Sequence, residues 1–175
     1  PISNAIEILQ RLGPQEPKLT QMRELIDRQV RHMARLVDDL LDVSRISQDK
    51  INLKSERLDL CTLVKRAVET QMPAIRKRGH EIVVNLPGEP LNTSGDAVRL
   101  AQVLGNLINN AAKYTPDGGR IEVSLAGEDG RARISVRDNG IGIEAGYLKH
   151  VFELFGQVRN PRPHSHDGLG IGLAL

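Results

Sequence analysis

Tryptophan is absent from the 175 residues, and the aromatic side chains are two tyrosines and two phenylalanines. With so few rings to stack on bases and a formal net charge of only +2, the chain lacks the surface of a nucleic-acid binder. A single cysteine, Cys61, excludes an internal disulfide and any cysteine-based metal cluster, and suits a reducing compartment. No apolar run is long enough to span a bilayer and no signal peptide opens the sequence. A cytoplasmic chain without membrane contact of its own is therefore expected, whether or not its parent protein is anchored in a membrane. Neither a Gly-Lys-Ser/Thr phosphate loop nor a Gly-x-Gly-x-x-Gly fingerprint occurs, which removes the Walker and Rossmann routes to nucleotide binding. What these exclusions leave is a small or proteinaceous partner.

What is present begins with helical periodicity. Ile2, Ala5, Ile6, Ile8, Leu9 and Leu12 follow the pattern of a helix already under way at Pro1; Gly13-Pro14 stops it, and Pro17 suits the first turn of another. From Met22 an apolar stripe runs through Ile26, Gln29, Met33, Leu36, Leu40 and Val43, widened by Leu25, Val30, Val37 and Leu41. About 30 residues of helix would extend about 45 Å at 1.5 Å per residue. A hairpin with one broad apolar side cannot bury it alone, so a homodimer forming a four-helix bundle is expected. Residues 1–48 are read as this dimerisation hairpin.

Residues 49–175 read as a second domain, giving an α+β chain. Ile51 and Leu53 alternate, Asp59 can cap a helix over roughly 60–77, and residues 81–86 suggest a strand. Asp96 can cap a further helix that ends at Thr115-Pro116-Asp117-Gly118-Gly119. Ile121, Val123 and Leu125, then Ala132, Ile134 and Val136, alternate around a hairpin at Gly127-Glu128-Asp129-Gly130.

The helix between Asp96 and Thr115 is the most informative element. Leu100, Val103, Leu104, Leu107, Ile108 and Ala111 supply an apolar face, while Asn106, Asn110 and Lys113 lie three or four apart on another. Three asparagines, with Asn109, are poor helix formers and a poor choice for plain structure. Asn110 offers the neutral oxygen that suits Mg²⁺ bound mainly by phosphates and water, and Lys113 offers a point charge to the same phosphates. Asp138, just past a strand and followed by Gly140 and Gly142, places a carboxylate where a flat ligand with an exocyclic amine can approach. Gly168, Gly170 and Gly172 precede what reads as a helix start, where free N–H groups attract phosphate.

From about Arg23 onward these features resemble the dimerisation and catalytic ATP-binding domains of sensor histidine kinases, in the gyrase–Hsp90–histidine-kinase–MutL superfamily. The asparagine box is Asn106-Leu107-Ile108-Asn109-Asn110-Ala111-Ala112-Lys113-Tyr114-Thr115 and the first glycine box Asp138-Asn139-Gly140-Ile141-Gly142. Val151-Phe152-Glu153-Leu154-Phe155 matches the phenylalanine box and Gly168-Leu169-Gly170-Ile171-Gly172-Leu173 the second glycine box, in family order. The resemblance implies an α/β sandwich with a mixed, mainly antiparallel sheet. It also implies ATP and Mg²⁺ as cofactors, a homodimer, and a response-regulator receiver domain as partner. Asn110 would bind Mg²⁺, Asn106 and Lys113 would act beside the phosphates, Tyr114 would border the nucleotide and Asp138 would recognise adenine. Gly140 and Gly142 would allow close approach, and Gly168, Leu169, Gly170 and Gly172 would line the phosphate side. Residues 156–167 correspond to a mobile lid whose base Phe152 and Phe155 anchor, with Phe155 toward the nucleotide; Arg159 or Arg162 would neutralise the γ-phosphate.

Two departures bear on mechanism. Family members phosphorylate a histidine in a His-Glu-x-x-x-Pro type motif, and His32, His80, His150, His164 and His166 all lack that context. The acceptor is expected upstream of Pro1, and a further helix and strands are expected beyond the second glycine box. Hydrolytic relatives in the superfamily place a glutamate where this chain has Asn106, and an amide cannot take a proton from water. Transfer to a protein histidine is thus expected over hydrolysis, the alternatives being a hydrolytic ATPase or a non-catalytic nucleotide-sensing or dimerisation module. His164-Ser165-His166-Asp167 does not make a metal site, because a mobile lid does not preorganise ligands.

Overall fold

The structure, a computed structural model, describes residues 8–9, 16–47, 53–154, 156 and 170–174. The chain divides into two compact units, 1–51 and 52–175.

In the first unit Ile8 and Leu9 are helical and exposed. Helix α1, Pro17–Ser47, runs for 31 residues and opens on Pro17, where the missing N–H costs no hydrogen bond. Met22, Leu25, Ile26, Met33 and Val37, the described apolar residues at the heart of the predicted stripe, are each about half exposed. The rest of the expected first arm of the hairpin lies outside the described residues.

The second unit builds its own core. In order come β1 (Glu56–Asp59), α2 (Leu60–Lys77), β2 (Glu81–Asn85), β3 (Asn92–Gly95), α3 (Ala97–Tyr114), β4 (Arg120–Glu128), β5 (Arg131–Asp138) and a 3₁₀ turn at Ala145–Tyr147. β2 pairs parallel to β4, with Ile82 opposite Ile121, and β4 pairs antiparallel to β5, with Val123 opposite Val136. This mixed three-stranded sheet is joined by a separate antiparallel pair, β1 with β3. Every second residue of β4, namely Ile121, Val123 and Leu125, is buried. Ile121 and Val123 pack with Val64, Val68 and Ile75 of α2 and Leu104, Ile108 and Ala111 of α3. Both helices therefore layer on the sheet as an α+β sandwich.

Both helix starts are capped as the sequence predicts. Asp59 accepts from the N–H groups of Cys61 (3.0 Å) and Thr62 (3.2 Å), and Asp96 from those of Val98 (3.0 Å) and Arg99 (3.1 Å). The Thr62 hydroxyl, then the capped N–H groups, hold the Asp59 carboxyl below its ordinary range. For Asp96 the Lys54 N–H leads, followed by Arg99.

Two differences from the sequence reading stand out. Strands β1 and β3 were not expected, because Glu56-Arg57-Leu58-Asp59 and Asn92-Thr93-Ser94-Gly95 are short and polar. The hairpin is tighter than the expected 127–130 loop. Asp129 and Gly130, both at positive φ, turn the chain in two residues, so Gly127 and Glu128 stay in the ladder opposite Ala132 and Arg131. Of the helix start expected after Gly172, the described residues include only a turn, in which the Ala174 N–H donates to the Ile171 carbonyl at 2.9 Å.

Candidate functional site

α3 presents the candidate residues because its other face is committed to the core. Leu104, Ile108, Ala111 and Ala112 are buried, which leaves Asn106, Asn110 and Lys113 half-buried on the polar side.

Hydrogen bonds join this helix to both glycine segments. The Asn106 Nδ2 group donates to the Gly172 carbonyl at 2.8 Å. A Cβ at Gly172 would lie 3.4 Å from the Asn106 amide carbon, an ordinary van der Waals separation. At the other end the Tyr114 carbonyl accepts from the Ile141 N–H at 3.3 Å. Asp138 Oδ1 accepts from the Gly140 N–H at 2.8 Å, which sets the loop and leaves the second carboxylate oxygen for another donor. The Lys113 ammonium sits over the Tyr114 ring, 5.0 Å from its centroid.

The two glycines of the first box differ in purpose. A Cβ at Gly140 would lie 2.6 Å from both the Tyr114 carbonyl oxygen and Asp138 Oδ1, so the contact between loop and helix requires glycine here. Gly142, at φ +68°, has open space where its Cβ would be, which is what approach by a flat ligand requires. Gly170 also adopts positive φ, +70°. Phe152 is exposed. Phe155, Arg159, Arg162, His164, His166, Gly168 and Leu169 lie outside the described residues.

Sequence reasoning missed the residues behind the helix end. Arg78 Nη1 donates to the carbonyls of Ala112 (2.5 Å) and Lys113 (2.6 Å), and His80 Nε2 bonds Ala112 at 3.0 Å. The signal that could have found them is general: a helix ends with carbonyls that need donors, and Arg78-Gly79-His80 is a donor-rich connector.

Comparison with known proteins places this geometry. Residues 95–175 match the model described as histidine kinase-, DNA gyrase B-, and HSP90-like ATPase, and residues 1–49 match the His Kinase A (phospho-acceptor) domain. The structure of the mycobacterial sensor histidine kinase MprB is 32% identical, with TM-score 0.58, covering 69% of this chain and 74% of that one. The chain belongs to the sensor histidine kinases. A full-length ShkA structure in complex with AMPPNP aligns over 99% of this chain and 35% of its own, at 27% identity and TM-score 0.77. Sensor histidine kinase RppB of Synechocystis is 31% identical over 91% of this chain and 35% of its own length. The chain thus spans about a third of that relative, and carries the phospho-acceptor and ATPase-like regions of a two-component sensor kinase. Among the described residues no helix is long and apolar enough to cross a membrane.

The donor chemistry fits a nucleotide-borne metal better than a protein cage. Among the described residues no three histidine, cysteine, aspartate or glutamate side chains gather as a metal site. Mg²⁺ carried by phosphates needs only one or two protein oxygens, which an amide on α3 can supply.

Proposed function

We propose that this chain is the ATP-binding catalytic part of a dimeric sensor kinase. It moves the γ-phosphoryl group of Mg-ATP to a histidine other than the five in this sequence, and a response-regulator aspartate then receives it. The observation that carries the reading is the lacing of one polar helix face to both glycine segments, through Asn106 to Gly172 and Tyr114 to Ile141. Asp138 would accept from the adenine amine, the open side of Gly142 would admit the ring, and Tyr114 would border it. Lys113 would face the phosphates, with Gly168, Leu169, Gly170 and Gly172 on the same side and Phe155 and Arg159 in the lid. Mg²⁺ would supply charge neutralisation between the phosphates, with Asn110 as its protein oxygen.

Phosphoryl transfer asks mainly for positioning and charge neutralisation. The bond from the γ-phosphorus to the β,γ-bridging oxygen breaks as a bond to the imidazole nitrogen forms, and ADP leaves. Asn106 contributes by what it is not: its amide donates to Gly172 and cannot deprotonate water, so the phosphoryl group is kept for the histidine. The uncovered stripe on α1 would be the dimer seam, since pairing two such helices removes apolar surface that one chain leaves in water.

Incubating the full-length protein with γ-labelled Mg-ATP tests this. Acid-labile label on a histidine is expected. Release of inorganic phosphate at about one per second, with no phosphohistidine formed, contradicts it.

A further inference from the structure

The C-terminal end of α3 is held from outside the helix. The last four carbonyls of a helix have no intrahelical donor, yet all four here have one. Ala111 accepts from the Thr115 N–H at 3.0 Å and Tyr114 from the Ile141 N–H at 3.3 Å. Ala112 and Lys113 depend on Arg78 and His80, residues more than thirty positions earlier.

The connector is built to deliver both side chains. Gly79, at φ +65°, closes α2: its N–H donates to the Arg76 carbonyl at 3.0 Å, and the His80 N–H donates to Ile75 at 3.1 Å. Arg78 and His80 flank this turn and both reach the end of α3. The guanidinium is oriented a second time by Asp117, whose Oδ1 accepts from Nε at 2.7 Å, and the Arg78 carbonyl accepts from the Gly118 N–H at 2.9 Å. His80 is buried, and because a carbonyl only accepts, its Nε2 carries the proton.

We propose that Arg78, oriented by Asp117 and assisted by His80, is a positioning residue of the nucleotide site. The inference rests on the reading of α3 as that site. Arg78 holds the peptide between Lys113 and Tyr114 by its carbonyl, and the glycine loop holds the next peptide through the Tyr114 carbonyl. Arg78 thus fixes the peptide that follows the residue carrying the Lys113 ammonium, while the peptide after it is held by the glycine loop and not by Arg78. A guanidinium serves Nε and Nη contacts in one rigid plane, whereas a lysine ammonium is a single point on a flexible stem. A cation at a helix C-terminus is also electrostatically favoured.

Calorimetric titration of the wild type, Arg78→Ala, Arg78→Lys and Asp117→Asn, each well below its thermal midpoint, tests the assignment with Mg-ATP and with adenosine. Mg-ATP affinity is expected to fall about tenfold in both Arg78 variants and about threefold in Asp117→Asn. Adenosine, lacking the phosphates that Lys113 faces, should lose less than about twofold. A purely structural role would lower both ligands in proportion. Equal losses for both, or wild-type Mg-ATP affinity in the folded Arg78 variants, overturns the proposal. Asp117 is 77% exposed, so Asp117→Asn keeps the test alive if the Arg78 variants do not fold. A wild-type chain that binds no Mg-ATP overturns the site reading and this inference with it. Binding that ignores Arg78 and Asp117 overturns this inference alone.

Discussion

α1 and α3 are both amphipathic helices, yet α3 buries its apolar face within its own unit while α1 leaves apolar residues exposed beside its polar ones. In α3 the apolar side is buried against α2 and β4, and the open side carries amides and a lysine. In α1 the open side carries Met22, Leu25, Ile26, Met33 and Val37. The same 3.6-residue periodicity therefore serves two ends. Under the proposed function, the face each helix leaves uncovered would be its working face: phosphate binding for α3 and partner contact for α1.

The largest expected effect breaks the α3 side of this comparison from beneath. Ile108 is fully buried, so Ile108→Ala should cost about 2–5 kcal/mol of stability in the second unit by denaturant titration. An equivalent truncation at half-exposed Ile26 should leave that unit's midpoint unchanged.

Next comes Gly140→Ala. The added methyl would lie 2.6 Å from the Tyr114 carbonyl, and such overpacking costs about 1–3 kcal/mol. It should push the 138–142 loop off α3, lowering Mg-ATP affinity while leaving the dimer intact. Ile26→Asp sharpens the contrast from the other side. It should shift sedimentation about tenfold toward monomer, as a charge entering an apolar seam predicts, with unchanged affinity of each chain for Mg-ATP.

What the sequence made legible was local. Asp96 and Asp59 as caps, the polar face of α3 and the existence of the β4–β5 hairpin each depend on residues within a few positions of one another. What it concealed was long-range. The pairing of Glu56 with Gly95 joins two polar tetrapeptides, and the Arg78 contacts to α3 cross 34 and 35 residues, with no periodicity to announce them. Gly140 shows the same division: its presence is obvious, but its purpose depends on a carbonyl from another element. The four boxes were readable because each is contiguous, while the contacts from the asparagine box to the two glycine boxes are not.

The smallest expected effect concerns pH. The Lys54 and Arg99 N–H groups depress the carboxyl of Asp96 in the folded chain. A depressed acid contributes stability that is present above its unfolded value and is lost as pH falls through the folded value. Asparagine caps as well as aspartate but does not titrate. Any advantage of the wild type over Asp96→Asn in thermal midpoint should thus be present near neutrality and shrink below the ordinary carboxylate range. A gap that stays constant through acid pH removes Asp96 as a charged cap of α3.

The central claim is that the polar face of α3 and the 138–142 loop form one Mg-ATP site. Calorimetric titration of the wild type against Asn110→Asp and Asp138→Asn tests it most directly, because both substitutions keep shape and change only charge and hydrogen bonding. Saturable one-to-one binding of Mg-ATP by the wild type is predicted, at least tenfold weaker in each variant, a loss of about 1.4 kcal/mol or more. Wild-type affinity in both folded variants contradicts the account.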